Sequence, residues 1–137
     1  MLTGDVLARS AMFTIVATGD LVTLRIFSRP DVTPEAGAEA AGVLRATLLG
    51  KVLVPDSSYR GVVIDLRDGP AMFGPRTRRE LLTIIERAQG VGMRLAVVLG
   101  SPTVQRLQFE SVAHELDSTA LELVTNVADA TAFVQSH

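Results

Sequence analysis

Asp65 is the best-placed carboxylate in the sequence. It follows the apolar run Gly61-Val62-Val63-Ile64 and precedes Leu66 and the loop that begins at Arg67. A strand-terminal aspartate can accept a phosphoryl group, but that chemistry also needs an acidic pair to hold Mg²⁺ and a lysine to neutralise the phosphate. No acidic pair follows Ile15 or Ile26, and Lys51 is far from the last strand. The reading that remains for Asp65 is a strand-end acceptor for loop amides. A second group, Arg76, Arg78 and Arg79, crowds the start of a predicted helix. Cations there oppose the helix dipole, at about 0.3–1 kcal/mol each when exposed. They suit an anionic ligand or an acidic partner, with the backbone amides at Gly74 and Thr77 as further donors. The bland alternative is a solvated basic patch partly paired with Glu80 or Asp68. The apolar pair Met72-Phe73 sits in the same loop, as a docking anchor or a lid on the core. The expected site is therefore Asp65, Asp68, Met72, Phe73, Gly74, Arg76, Thr77, Arg78 and Arg79.

The remaining chemistry-bearing residues do not assemble. His114 lies beside Glu115 and Asp117 but lacks further metal ligands at a recognisable spacing. Gly90-Val91-Gly92 is not a phosphate loop, because neither a lysine nor a helix follows it. Ser57-Ser58 has no nearby histidine and no nucleophile-elbow pattern. No acid, base and nucleophile converge, so the expectation is a non-enzymatic protein with no cofactor and no metal.

Composition narrows the class further. With 137 residues, 47% of them hydrophobic and 20% charged, the chain fits one folded domain. Thirteen basic against 15 acidic side chains give a net charge of −2, which disfavours general nucleic-acid binding. Cysteine is absent, which removes disulfides and thiolate chemistry. The apolar runs are of strand length, far short of the ~20 residues of a membrane span. The N-terminus lacks the pattern of a signal peptide. A cytoplasmic protein is expected.

Elements that would position these groups follow from periodicity. Met12–Thr18 and Leu21–Phe27 alternate about the turn Thr18-Gly19-Asp20 and predict an antiparallel hairpin. Thr33-Pro34-Glu35 opens a helix reaching about Leu49, with Val43, Leu44 and Leu48 as core contacts. Gly50 is its expected stop, and Val52–Val54 a short extended piece. Gly61–Leu66 and Met93–Leu99 read as strands covered on both faces. An amphipathic helix fills Pro75–Gln89, burying Leu81, Leu82, Ile84, Ile85 and Ala88. Ser101-Pro102 opens a third helix, with Val104, Leu107, Val112 and Leu116 inward. Leu121–Val124 is the last strand, and Asn126 caps a final helix, Val127–Gln135. The predicted fold is α/β, a single mixed sheet with helices packed on it in the order β-β-α-β-α-β-α-β-α. It forms one domain over 1–137, with 1–11 as an N-terminal extension and 12–135 as the core. The extended apolar first strand, at a sheet edge, offers a route to a homodimer.

These residues also carry a family resemblance. Tyr59-Arg60-Gly61-Val62-Val63-Ile64-Asp65-Leu66-Arg67-Asp68, with its loop and amphipathic helix, resembles the sulfate transporter and anti-sigma factor antagonist (STAS) domain. Val91–Pro102 is similar to that family's next strand and helix-opening turn, and Val124–Ala130 to its closing strand and last helix. Together the resemblance covers roughly residues 13–135. The related bacterial STAS/SEC14-like stand-alone proteins are similar too, including over the helix Val104–Leu116. What the resemblance implies is a regulatory or scaffold module acting by protein–protein binding. The partner would be a kinase, a phosphatase or a sigma-factor regulator. In antagonists a serine after the Asp-Leu strand is phosphorylated. Counted from Asp65-Leu66, the family's Asp-Ser pair falls on Phe73 and Gly74, so that hydroxyl is missing, and Thr77 is the nearest one. The alternative function is a carrier or sensor of a small anionic or lipid-like ligand held near Arg76–Arg79.

Overall fold

The computed structural model describes residues 4–27, 31, 33–69, 75–100, 107, 110, 111, 114 and 121–135, with Pro34 and residues 75–77 described in backbone only. Six strands form one sheet in chain order: β1 Asp5–Arg9, β2 Phe13–Thr18, β3 Leu21–Ile26, β4 Gly61–Asp65, β5 Arg94–Val98 and β6 Leu121–Val124. The first three strands are antiparallel neighbours, and β3 to β6 pair in parallel. Among the described residues, the helices with defined bounds are α1 Pro34–Thr47, α2 Pro75–Gly90 and α3 Val127–Gln135, and residues 107, 110, 111 and 114 are helical as well. This is the mixed α/β architecture that the alternating pattern predicts. No helix of the described residues is long and apolar enough to cross a membrane.

The buried face of each strand follows its two-residue period. Phe13, Ile15, Val22, Leu24, Val62, Ile64, Leu95 and Val97 lie in one core cluster with Leu81, Ile84 and Ile85 of α2. Val63, Ala96 and Val98 point the other way and pack with Ala130 and Val134 of α3. Every residue of β4 is buried, which accounts for its lack of alternation. Gly61 is needed where α3 crosses β4. A Cβ there would meet Val134 Cγ1 and lie 2.7 Å from the Arg94 carbonyl oxygen. Arg94 reinforces that crossing: Nη1 donates to the Phe133 carbonyl at 3.1 Å, and the guanidinium stands 4.9 Å from the Phe133 ring centroid.

Caps and turns form at the residues that predicted them. Thr33 Oγ1 accepts from the Ala36 amide at 3.2 Å, and Asn126 Oδ1 from the Asp129 amide at 2.8 Å. Gly19 and Gly92 take the positive φ that their turns require.

Several expectations are corrected. Residues 5–9 are not an extension but a strand, and they cover the edge that Met12–Thr18 was expected to leave open. A bulge between Val6 and Ala8 interrupts the alternation and conceals the strand in the sequence. Gly50 does not stop the first helix. A π-helical turn over Leu48–Val52 continues it, and the Leu53 amide donates to the Leu48 carbonyl at 2.7 Å. That wide turn places Leu48, Val52 and Leu53 together in the core, so no extended piece forms at Val52–Val54. Val43 is exposed, because Ala40, Leu44 and Leu48 form the inward stripe of α1. Leu107 is 58% exposed. It shares the i, i+3, i+4, i+7 face of Glu110, Ser111 and His114, all helical and all exposed. The other inward positions predicted there, Val104, Val112 and Leu116, lie outside the described residues.

Gly61→Ala forces α3 away from β4. It should lower the unfolding free energy by about 1–3 kcal/mol, the usual cost of overpacking. Urea denaturation checks this; a midpoint equal to the wild type would contradict the close approach.

Candidate functional site

The parallel register sets Arg25 of β3 beside Asp65 of β4. Both stand at the carboxyl ends of their strands, where loops of parallel sheets gather binding groups. Asp65 is 3% exposed, and burying a carboxylate is costly unless it is paired and hydrogen-bonded. Arg67 supplies that pairing: Nε donates to Oδ1 at 2.9 Å and an Nη to Oδ2 at 2.8 Å. The Arg67 amide adds a third bond to Oδ1 at 3.1 Å, the strand-end role expected of Asp65. Arg25 Nε lies 3.8 Å from Asp65 Oδ2, and its other end hydrogen-bonds Asp68. The same guanidinium sits 5.3 Å from the Phe27 ring centroid.

Two arginines and two aspartates thus form one neutral cluster. It clamps the first turn of the β4–α2 loop, where the Gly69 amide donates to the Leu66 carbonyl at 3.0 Å. Arg25 and Arg67 each keep about half of their side chains exposed, at 46% and 47%. The cluster therefore presents the edges of two guanidiniums and the Asp68 carboxylate to solvent, while the Asp65 carboxylate is hidden. Burial pushes the Asp65 carboxyl up, but the Arg67 hydrogen bonds and the Arg67 and Arg25 charges outweigh it and hold the group below its ordinary value. The Arg67 guanidinium is raised in turn by its bond to Asp65.

The other expected residues fall as follows. Arg76 and Thr77 occupy the first turn of α2, whose opening turn carries no acid. Arg78 is partly buried, and Arg79 is exposed. Met72, Phe73 and Gly74 lie outside the described residues. The two acids expected to pair with the basic patch have partners on other elements. Asp68 binds Arg25, and Glu80 faces Arg45 of α1 at 3.7 Å. That distance is too long for a hydrogen bond, and Glu80 Oε2 makes none among the described residues. His114 is exposed, and no group of three or more metal-ligating side chains occurs among the described residues. Ser57 Oγ accepts from the Tyr59 amide at 3.1 Å, a turn role.

Arg25 and Arg67 are the members that motif reading does not single out. Arg25 is an ordinary solvent-side residue of a hairpin until β3 and β4 are aligned in parallel. Arg67 reads as a loop charge until Asp65 is known to be buried.

No protein-family model matches the chain. No curated protein matches it either. Among solved structures it is similar to the NMR structure of the protein TM1081, with a TM-score of 0.67 at 15% identity. That match covers 95% of this chain and 94% of the other. At this identity the likeness shows the fold.

Asp65→Asn should destabilise the protein at neutral pH by about 1.5–3 kcal/mol, the worth of a hydrogen bond to a charged group. Because the folded pKa is depressed, this stabilisation is complete above the unfolded value of about 3.9 and is lost as pH falls through the folded value. Denaturation from neutral to strongly acidic pH should therefore show the gap between wild type and variant closing. A gap independent of pH would contradict the clamp.

Proposed function

We propose that the chain is a non-catalytic, STAS-like regulatory or scaffold module. It docks a protein partner through the loop after β4 and the first turn of α2. The observation that carries this reading is the basic opening of α2, without an acid in its first turn, together with the half-exposed Arg25 and Arg67 at the carboxyl ends of β3 and β4. These guanidinium groups make one end of the sheet suited to an acidic partner surface. The buried, doubly held Asp65 supports a structural role for the strand-end acid, in line with docking rather than group transfer. Gly74 occupies the position where an antagonist carries its phosphorylated serine, so the interaction is not switched there. A kinase, phosphatase or sigma-factor regulator is the partner class that fits a STAS-like module, and the cytoplasm its compartment.

The double variant Arg76→Glu, Arg79→Glu replaces charges that oppose the helix dipole, so its melting temperature should equal or slightly exceed that of the wild type. It should lose whatever protein the wild type captures from a lysate of its own source cells. Retention of the same partner by the variant would overturn the assignment of the surface. Native mass spectrometry showing a co-purifying small anion and no protein partner would replace this reading with a ligand carrier.

A further inference from the structure

A groove of about 340 Å³ lies at a different place, between the β1–β2 turn and α1. Its lining comes from Arg9, Ser10, Ala11 and Met12 on the turn, and from Ala36, Glu39, Ala40 and Val43 on the helix. Small side chains on α1 leave the space open. Met12 reaches beneath the helix, its Sδ being 3.8 Å from where a Cβ on Gly37 would stand. Val43, 44% exposed, is an apolar wall without a cover.

Two charges of opposite sign line this apolar space. Arg9 and Glu39 are both exposed, and among the described residues neither side chain has an ion-pair or hydrogen-bond partner, nor do they pair with each other. Ser10 Oγ accepts from the Met12 amide at 3.0 Å, which leaves its O–H to donate. A volume near the lower end of small-molecule sites, about 300–1,000 Å³, suits a compact ligand. An anion alone would leave Glu39 unanswered, and a cation alone would leave Arg9 unanswered.

We infer that this groove binds a small zwitterion with an apolar side chain, an aliphatic amino acid. Its carboxylate meets Arg9 and the Ser10 hydroxyl, its ammonium meets Glu39, and its side chain lies on Met12, Ala40 and Val43. The inference is independent of the docking surface at the carboxyl end of β4.

The test is an amide NMR titration of the full chain with L-leucine, with isocaproate (leucine without its ammonium) and isoamylamine (leucine without its carboxylate) as controls. Leucine should shift the amides of Ser10–Met12 and Ala36–Val43 and saturate in the millimolar range. Each control, and leucine with Arg9→Ala or Glu39→Gln, should bind about tenfold or more weakly, the effect of losing one charge-assisted contact. Ala36→Leu, at an exposed helix position, should fill the groove and remove the shifts while keeping a folded spectrum. Absence of shifts with leucine overturns the inference, as does equal binding of isocaproate. Concentration-dependent shifts at these amides without ligand would assign the groove to a second copy of the chain and overturn it too.

Discussion

A carboxylate buried at the end of a fully covered strand is the constraint on which the arrangement turns. β4 has helices against both its faces, so its terminal Asp65 cannot reach water. An unpaired charge there would oppose folding. The chain meets this with one residue of local sequence, Arg67, and one from the neighbouring strand, Arg25. The pairing has a structural consequence beyond neutralising charge. It bends the chain back at Arg67 and Asp68 and fixes where the loop leaves the sheet. The geometry of the proposed docking surface thus depends on a contact that is itself almost hidden.

The opposite face shows the same economy of space. α3 is short and lies directly on β4, β5 and β6, and it can do so because position 61 carries no side chain. Arg94 and Phe133 complete the contact at the rim. Both faces of β4 are therefore covered, and that covering is what buries Asp65.

Much of this was legible in the sequence, for identifiable reasons. The runs at 61–66 and 93–99 lack polar alternation, which only strands covered twice can tolerate. Thr33, Pro34 and Asn126 mark helix starts through their own chemistry. What escaped detection depends on spatial partners. The strand at Asp5–Arg9 is broken by its bulge, so its period vanishes. The π-helical turn at Leu48–Val52 has no residue signature, because Gly50 suggests an end where core packing demands continuation. Leu107 looked inward because it is leucine, and its helical neighbours Glu110, Ser111 and His114 were the better guide to that face. Within the site, the carboxylate was recognisable by position, but its guanidinium partners required the parallel register of β3 and β4.

Whether Asp65 is a clamp can be measured on the atom concerned. Carbon NMR of the Asp65 carboxyl, followed as the folded protein is acidified, reports its titration directly. The account predicts a midpoint below that of an ordinary aspartate, with the Arg67 Nε–H resonance moving in step as the bond between them is lost. A midpoint at or above the ordinary value, or an Arg67 resonance indifferent to it, would show that the clamp is not formed, and the organisation of the docking end would need another cause.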